Sequence, residues 1–161
     1  MTTKARPQVG VANIVVRDGK VLLGLRTGKH CAGAYGFPGG KLEMFESFAE
    51  CASRETWEEA GLAISDTSIR YGTLENVFFE NENRHFVTIF MVTTWNEQMG
   101  EPENSEPKKC AGWDWYYWHD MPRPIMPGIQ MVKDRGWFPE EIANKNCHGS
   151  CFPQLILPGI H

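Results

Sequence analysis

The chain has 161 residues, 42% hydrophobic and 22% charged, with a formal net charge of −4. That suits one globular domain with a sizeable core and excludes a chain disordered throughout. The negative balance argues against a nucleic-acid polymer as partner, the longest apolar run is too short for a membrane span, and Met1 to Gly10 lacks the apolar core of a signal peptide.

Val9 to Arg17 and Val21 to Leu25 are aliphatic runs around Asp18-Gly19, the pattern of a β-hairpin. Thr27 to Gly36 reads as a loop. Arg26 at its edge is either a phosphate contact or a solvated charge. Tyr35 to Lys41 is a short extended piece ending in Gly39-Gly40, where backbone can approach a ligand closely. Lys41 adds a positive charge there.

A helix is predicted from near Glu46-Ser47 to Gly61, with Ser47 as cap and Gly61 as the C′ glycine. Ala49, Ala52, Thr56 and Ala60 form its packed stripe. Glu55, Glu58 and Glu59 share another face at i, i+3 and i+4. Three like charges so spaced oppose one another, near a helix end that favours cations. A divalent cation would remove both objections. Arg54 beside them either ties Glu46 of the loop to the helix or pairs on the surface with Glu50 or Glu58. Thr56 can bond its hydroxyl to the Ala52 carbonyl.

Ser68 to Phe79 and Arg84 to Trp95 are the next predicted strands, joined by a loop at Asn81 to Asn83. His85 to Val92 is the most hydrophobic stretch and predicts a central strand; His85 reads as a satisfied edge histidine before a catalytic one. Asn96 to Cys110 is a long polar loop, a common place for function. In the strand that follows, Trp113, Trp115 and Tyr117 alternate with Asp114, Tyr116 and Trp118. Core packing is expected for at least two of these rings, and stacking on a base or an isoprenoid is the other use. Ile125 to Asp134 predicts a short helix, and 144–161 an irregular tail.

The five cysteines are odd in number and lack a C-x-x-C pair, which fits free thiols in a reducing, cytoplasmic setting. Cys147-His148-x-x-Cys151 is either half a zinc site or a pair of tail thiols.

Gly40, Glu46, Arg54, Glu55, Glu58, Glu59, Gly61 and Leu62 stand at the spacing G-x5-E-x7-R-E-x-x-E-E-x-G-L. This resembles the signature of the Nudix hydrolase superfamily. Two positions depart from it: Thr56, where an aliphatic residue is usual, and Phe45, where glycine is usual. Leu22-Leu23-Gly24, Phe37 to Gly40, His85 to Thr88 and Glu106 to Trp115 make the chain most similar to MutT-like nucleoside triphosphate diphosphatases of the human thiopurine-triphosphate and plant cytosolic types.

The resemblance implies an α+β Nudix fold, a mixed β-sheet sandwiched between α-helices, over residues 1–143, and a homodimer. It implies hydrolysis of a nucleoside (deoxy)triphosphate, an oxidised or modified purine dNTP such as 8-oxo-dGTP among the candidates, to the monophosphate and pyrophosphate. The alternatives are another diphosphate, such as a prenyl diphosphate, or a non-catalytic nucleotide-binding module. Mg2+, with Mn2+ able to substitute, is expected on Gly39, Glu55, Glu58 and Glu59, because hard oxygens suit these ions. Glu55, Glu58, Arg54 and Glu106 are the catalytic candidates, with Glu106 the alternative base to Glu55. Arg26 and Lys41 would meet phosphates, and Thr88, Gly128 and Ile129 would line the base pocket.

Overall fold

A computed structural model describes residues 5–143. The expected tail and its Cys147–Cys151 motif lie outside the described residues. Seven strands form one mixed sheet: β1 (Gln8–Arg17), β2 (Lys20–Arg26), β3 (Tyr35–Gly36), β4 (Gly39–Lys41), β5 (Arg70–Phe79), β6 (Arg84–Thr94) and β7 (Cys110–Tyr117). Helix α1 (Phe48–Ala60) covers one face; α2 (Pro127–Asp134) and the short α3 (Glu140–Ala143) cover the other.

The strand order is β3-β2-β1-β6-β5, with β4 also on β1 and β7 also on β2. Strands β1 and β2 pair only beside their turn, at Val16–Val21 and Arg17–Lys20. Beyond that they splay apart. One half continues with β4 on β1, the other with β3 and β7 on β2. Phe37-Pro38 therefore carries the chain across the split. The parallel β1–β6 pairing, from Gln8–Phe86 to Val16–Thr94, makes β6 an interior strand, as its hydrophobicity predicts.

Alternation along β6 separates two cores. Ile89 and Met91 face α1 with Val11, Val15 and Leu22, while Phe90 and Val92 face α2 with Ile14, Leu23 and Ile129. Helix α1 packs Cys51, Ala52, Thr56 and Ala60 on its sheet face. The stripe is wider than predicted, since Cys51 is fully buried and Ala49 only partly so. Ser47 caps the helix in a full capping box with Glu50, and Gly61 ends it in the left-handed conformation. The strand expected from Ser68 starts at Arg70, because Asp66–Ser68 close a 3-10 turn first.

Both departures from the signature have a physical counterpart. Thr56 gives its hydroxyl to the Ala52 carbonyl at 2.6 Å and accepts from Asn13 Nδ2 at 3.0 Å. Asn13, also fully buried, accepts from Thr93 Oγ1 at 2.9 Å. Thr56 thus completes a satisfied polar network from α1 to β1 and β6, where an aliphatic residue would leave Asn13 short of a partner. Phe45 has φ 64° and is 99% exposed. Its backbone adopts the left-handed region for which glycine is the natural residue. Phe45→Gly is therefore expected to stabilise the protein by about 1 kcal/mol, read as a raised Tm; an unchanged or lowered Tm would contradict the strain.

Candidate active site

Arg54 is the hub. Its Nε and Nη2 grip Glu46 Oε1 and Oε2 at 2.7 and 3.0 Å, a two-pronged pair from helix to loop. Nη1 reaches Glu55 Oε1 at 2.7 Å and Glu58 Oε2 at 3.5 Å, and Nη2 also donates to the Lys41 carbonyl. The loop tie expected between Arg54 and Glu46 is present, and the Glu58 pairing adds to it. This guanidinium holds the Glu46 carboxyl down to about 2.

The three acids of the signature do not remain side by side. Glu55 and Glu58 turn to Arg54. Glu59 turns into the split between the sheet halves, where its Oε2 accepts from the Gly39 N–H at 3.0 Å. Burial raises the Glu55 carboxyl and pushes Glu59 up to about 7. Neighbouring acids raise both further, while the Gly39 N–H and Arg26 act the other way on Glu59.

Close backbone approach explains the double glycine. A Cβ on Gly40 would lie 2.2 Å from Glu55 Oε1, and one on Gly39 would lie 2.3 Å from the Val11 carbonyl oxygen. Gly39 pairs with Ala12 in β4–β1, so strand and helix carboxylates meet at these two residues.

Beside Glu59 is a small cavity lined by Gly24, Arg26, Gly36, Glu106, Lys109, Cys110 and Trp113. Arg26 is fixed there by its Nε on the His30 carbonyl at 3.1 Å. The β2–β7 register slips between Gly24 and Arg26, a bulge of the kind that re-aims side chains beside sites. Glu106 enters from the long loop and pairs with Lys109 at 2.8 Å. Sequence reasoning gave no role to Lys109, whose signal was its spacing three residues after Glu106. The loop is anchored to the helix end by Ser105 N–H on the Glu59 carbonyl and Glu103 N–H on the Ala60 carbonyl.

The remaining candidates lie on the sheet. Lys41, exposed, pairs with Gly10, and Gly10 pairs with Thr88 across β1–β6. Thr88 shares the α2-side face with Phe90, the residue that Gly128 approaches; Ile129 is buried in the core there. Thr88, Gly128 and Ile129 thus share one face, while the cavity gathers Arg26, Glu59 and Glu106. His85 pairs with Asn76 Oδ1 at 2.6 Å, the satisfied edge histidine expected. Trp113 and Trp115 pack on the α1-side core and Tyr116 and Trp118 on the other, as the core reading predicts. Trp113 also donates Nε1–H to the Glu59 carbonyl at 3.0 Å.

The donor set fits a hard divalent cation. Glu55, Glu58 and Glu59 are carboxylates, two of them with their charged form disfavoured by burial, and the Gly39 carbonyl is an oxygen donor beside them. This has a pH consequence. Native Glu59 holds its proton up to about 7, above the unfolded value of 4.5, so the folded state binds more protons across that window. Stability in EDTA should fall as pH rises from about 5 to about 8, by roughly 3 kcal/mol at most. Added Mg2+ should restore more at the alkaline end, where the carboxylates are charged. The Glu46 pair is lost only between 4.5 and about 2, below this window. Thermal melts check it; a profile that rises with pH in EDTA would contradict the burial of Glu59.

A model of the NUDIX domain matches residues 4–136. The oxidized purine nucleoside triphosphate hydrolase of Danio rerio is 29% identical over 137 residues, 84% of this chain and 80% of that protein. The 8-oxo-dGTP diphosphatase of Proteus vulgaris is 29% identical over 107 residues, 65% of this chain and 92% of that protein. Among solved structures, a MutT NUDIX hydrolase from Burkholderia pseudomallei superposes with a TM-score of 0.73 at 27% identity, over 81% of this chain and 98% of that one.

Proposed function

This chain belongs to the NUDIX domain family and is a Nudix hydrolase, and from that premise we propose that it cleaves a nucleoside triphosphate to the monophosphate and pyrophosphate with Mg2+, for which Mn2+ can substitute. The observation that carries the reading is the carboxylate set, with Glu55 and Glu58 on Arg54 and Glu59 on the Gly39 N–H. Glu55, Glu58, Glu59 and the Gly39 carbonyl would hold the metal. When bound, it offsets phosphate charge, orients a water and lowers that water's pKa.

The chain's own residues do the rest. Glu55 takes the proton of the attacking water; burial raises its pKa toward the working pH, which suits a base. Arg54 keeps that carboxylate aimed. Glu106, which lines the same small cavity as Glu59, is the alternative base. The water oxygen bonds to phosphorus as the bond to the bridging oxygen breaks and pyrophosphate departs. Arg26 and Lys41 contact the phosphates, and Thr88 lines the base pocket, with Gly128 and Ile129 buried in the core on the same side of the sheet.

The substrate we favour is an oxidised or otherwise modified purine dNTP, supported by the activities in the names of the Danio rerio and Proteus vulgaris relatives. We place the enzyme in the cytoplasm as a homodimer whose domain closes near residue 143, acting on small molecules. Among the described residues no helix is long and apolar enough to cross a membrane. The test compares kcat/KM on dGTP, 8-oxo-dGTP and geranyl diphosphate. Preference for a purine triphosphate is expected, in line with the activities named for those two relatives. No turnover of any purine triphosphate would overturn the reading.

A further inference from the structure

A second donor cluster lies away from the glutamates of α1. It joins the loop after β2 to the β5–β6 turn, through His30, Cys31 and Glu82. One donor atom from each lies within 4.8 Å of the others, the one such group of three among the described residues. His30 Nδ1 stands 2.5 Å from Glu82 Oε2, and Cys31 Sγ stands 3.9 Å from both ring nitrogens. The geometry points to a tetrahedral site for a borderline divalent ion such as Zn2+, ligated by His30 Nδ1, Cys31 Sγ and Glu82, with one position left to water.

Three features support this. The set is chemically mixed: one thiolate, one imidazole and one carboxylate select Zn2+ or Co2+ over Mg2+. The spacing is also close. Neighbouring ligands on tetrahedral zinc are roughly 3.4–3.6 Å apart for bonds of about 2.0–2.3 Å. The His30–Glu82 pair must open by about 0.9 Å as the ion enters, and the Cys31 sulfur, which stands equidistant from the two ring nitrogens, must swing to the Nδ1 side.

Finally, the surroundings supply an outer shell. The Cys31 N–H donates to Glu82 Oε1 at 3.3 Å, orienting the carboxylate. The rings of Phe79 and Phe86 flank the imidazole at 4.6 and 5.9 Å. Both arms are braced: Arg26 Nε holds the His30 carbonyl, Ala34 N–H holds the Cys31 carbonyl, and Asn83 N–H closes the turn on Glu80. The half-buried Cys31 takes a left-handed backbone at φ 51°, which carries its thiol back toward the preceding histidine. On binding, the Cys31 S–H proton passes to water as the metal–sulfur bond forms.

The site does not rest on the hydrolase reading, and its test uses no activity. The full chain carrying Cys147→Ser and Cys151→Ser, which removes the tail thiols, is titrated with Co2+ in excess Mg2+. Thiolate-to-cobalt absorption saturating at one equivalent is expected. Adding Cys31→Ser should abolish it, and Glu82→Gln, which keeps the thiol, should weaken Co2+ binding at least about tenfold. Circular dichroism checks that each variant is folded. Absorption that survives Cys31→Ser, binding unchanged by Glu82→Gln, or no thiolate absorption before those changes would each overturn the proposal.

Discussion

Glu55→Gln is expected to lower kcat by about 100-fold or more while leaving the protein folded. The substitution preserves shape. Glutamine keeps an oxygen to accept from Arg54 Nη1, now at 2.7 Å from Glu55, and it fits the same space over Gly40. What it removes is the negative charge and the proton acceptor. Because burial already disfavours that charge, the neutral variant should melt within a few degrees of the parent. The loss should therefore sit in kcat. Glu106→Gln is the informative partner. A smaller effect there makes Glu55 the base, and a near wild-type rate in Glu55→Gln would contradict its assignment.

Gly39→Ala carries the largest expected cost in stability. The added methyl would lie 2.3 Å from the Val11 carbonyl oxygen and 2.8 Å from Ala12 Cα. These are backbone atoms of the sheet's central strand and cannot swing aside. We expect a loss of about 3 kcal/mol, the upper end for overpacking, and a Tm roughly 6–12 °C lower. Catalysis should fall with it, since the displaced strand carries the N–H that orients Glu59. Gly28→Ala is the control. A Cβ there meets Lys109 at 3.8 Å, an ordinary contact, and the change should be within about 0.5 kcal/mol. Equal melting of the two variants would show that the β1–β4 contact is looser than described.

Much of this site could be read from the sequence because its parts are local. The signature places Arg54, Glu55, Glu58 and Glu59 on one helix with fixed spacing, and capping chemistry fixes both helix ends. The hairpin around Asp18-Gly19 and the interior position of β6 follow from aliphatic patterning in the same way. The parting of Glu59 from Glu55 and Glu58 could not be read. It depends on β1 and β2 separating after two paired positions, which no local pattern encodes. The Glu106–Lys109 lining of the cavity depends on the long loop docking on the helix end through Glu103 and Ser105. Thr56 and Phe45 look like departures in one dimension. In three they are the partner of buried Asn13 and a residue held in a left-handed turn.

The most direct test is the identity of the products. Purified protein is incubated with dGTP and 8-oxo-dGTP, with Mg2+ or with EDTA, and the phosphorus products are separated. Expected are the nucleoside monophosphate and pyrophosphate in equal amounts, only with the metal present, and almost none from Glu55→Gln. Release of inorganic phosphate in place of pyrophosphate, or the same turnover in EDTA, would contradict it.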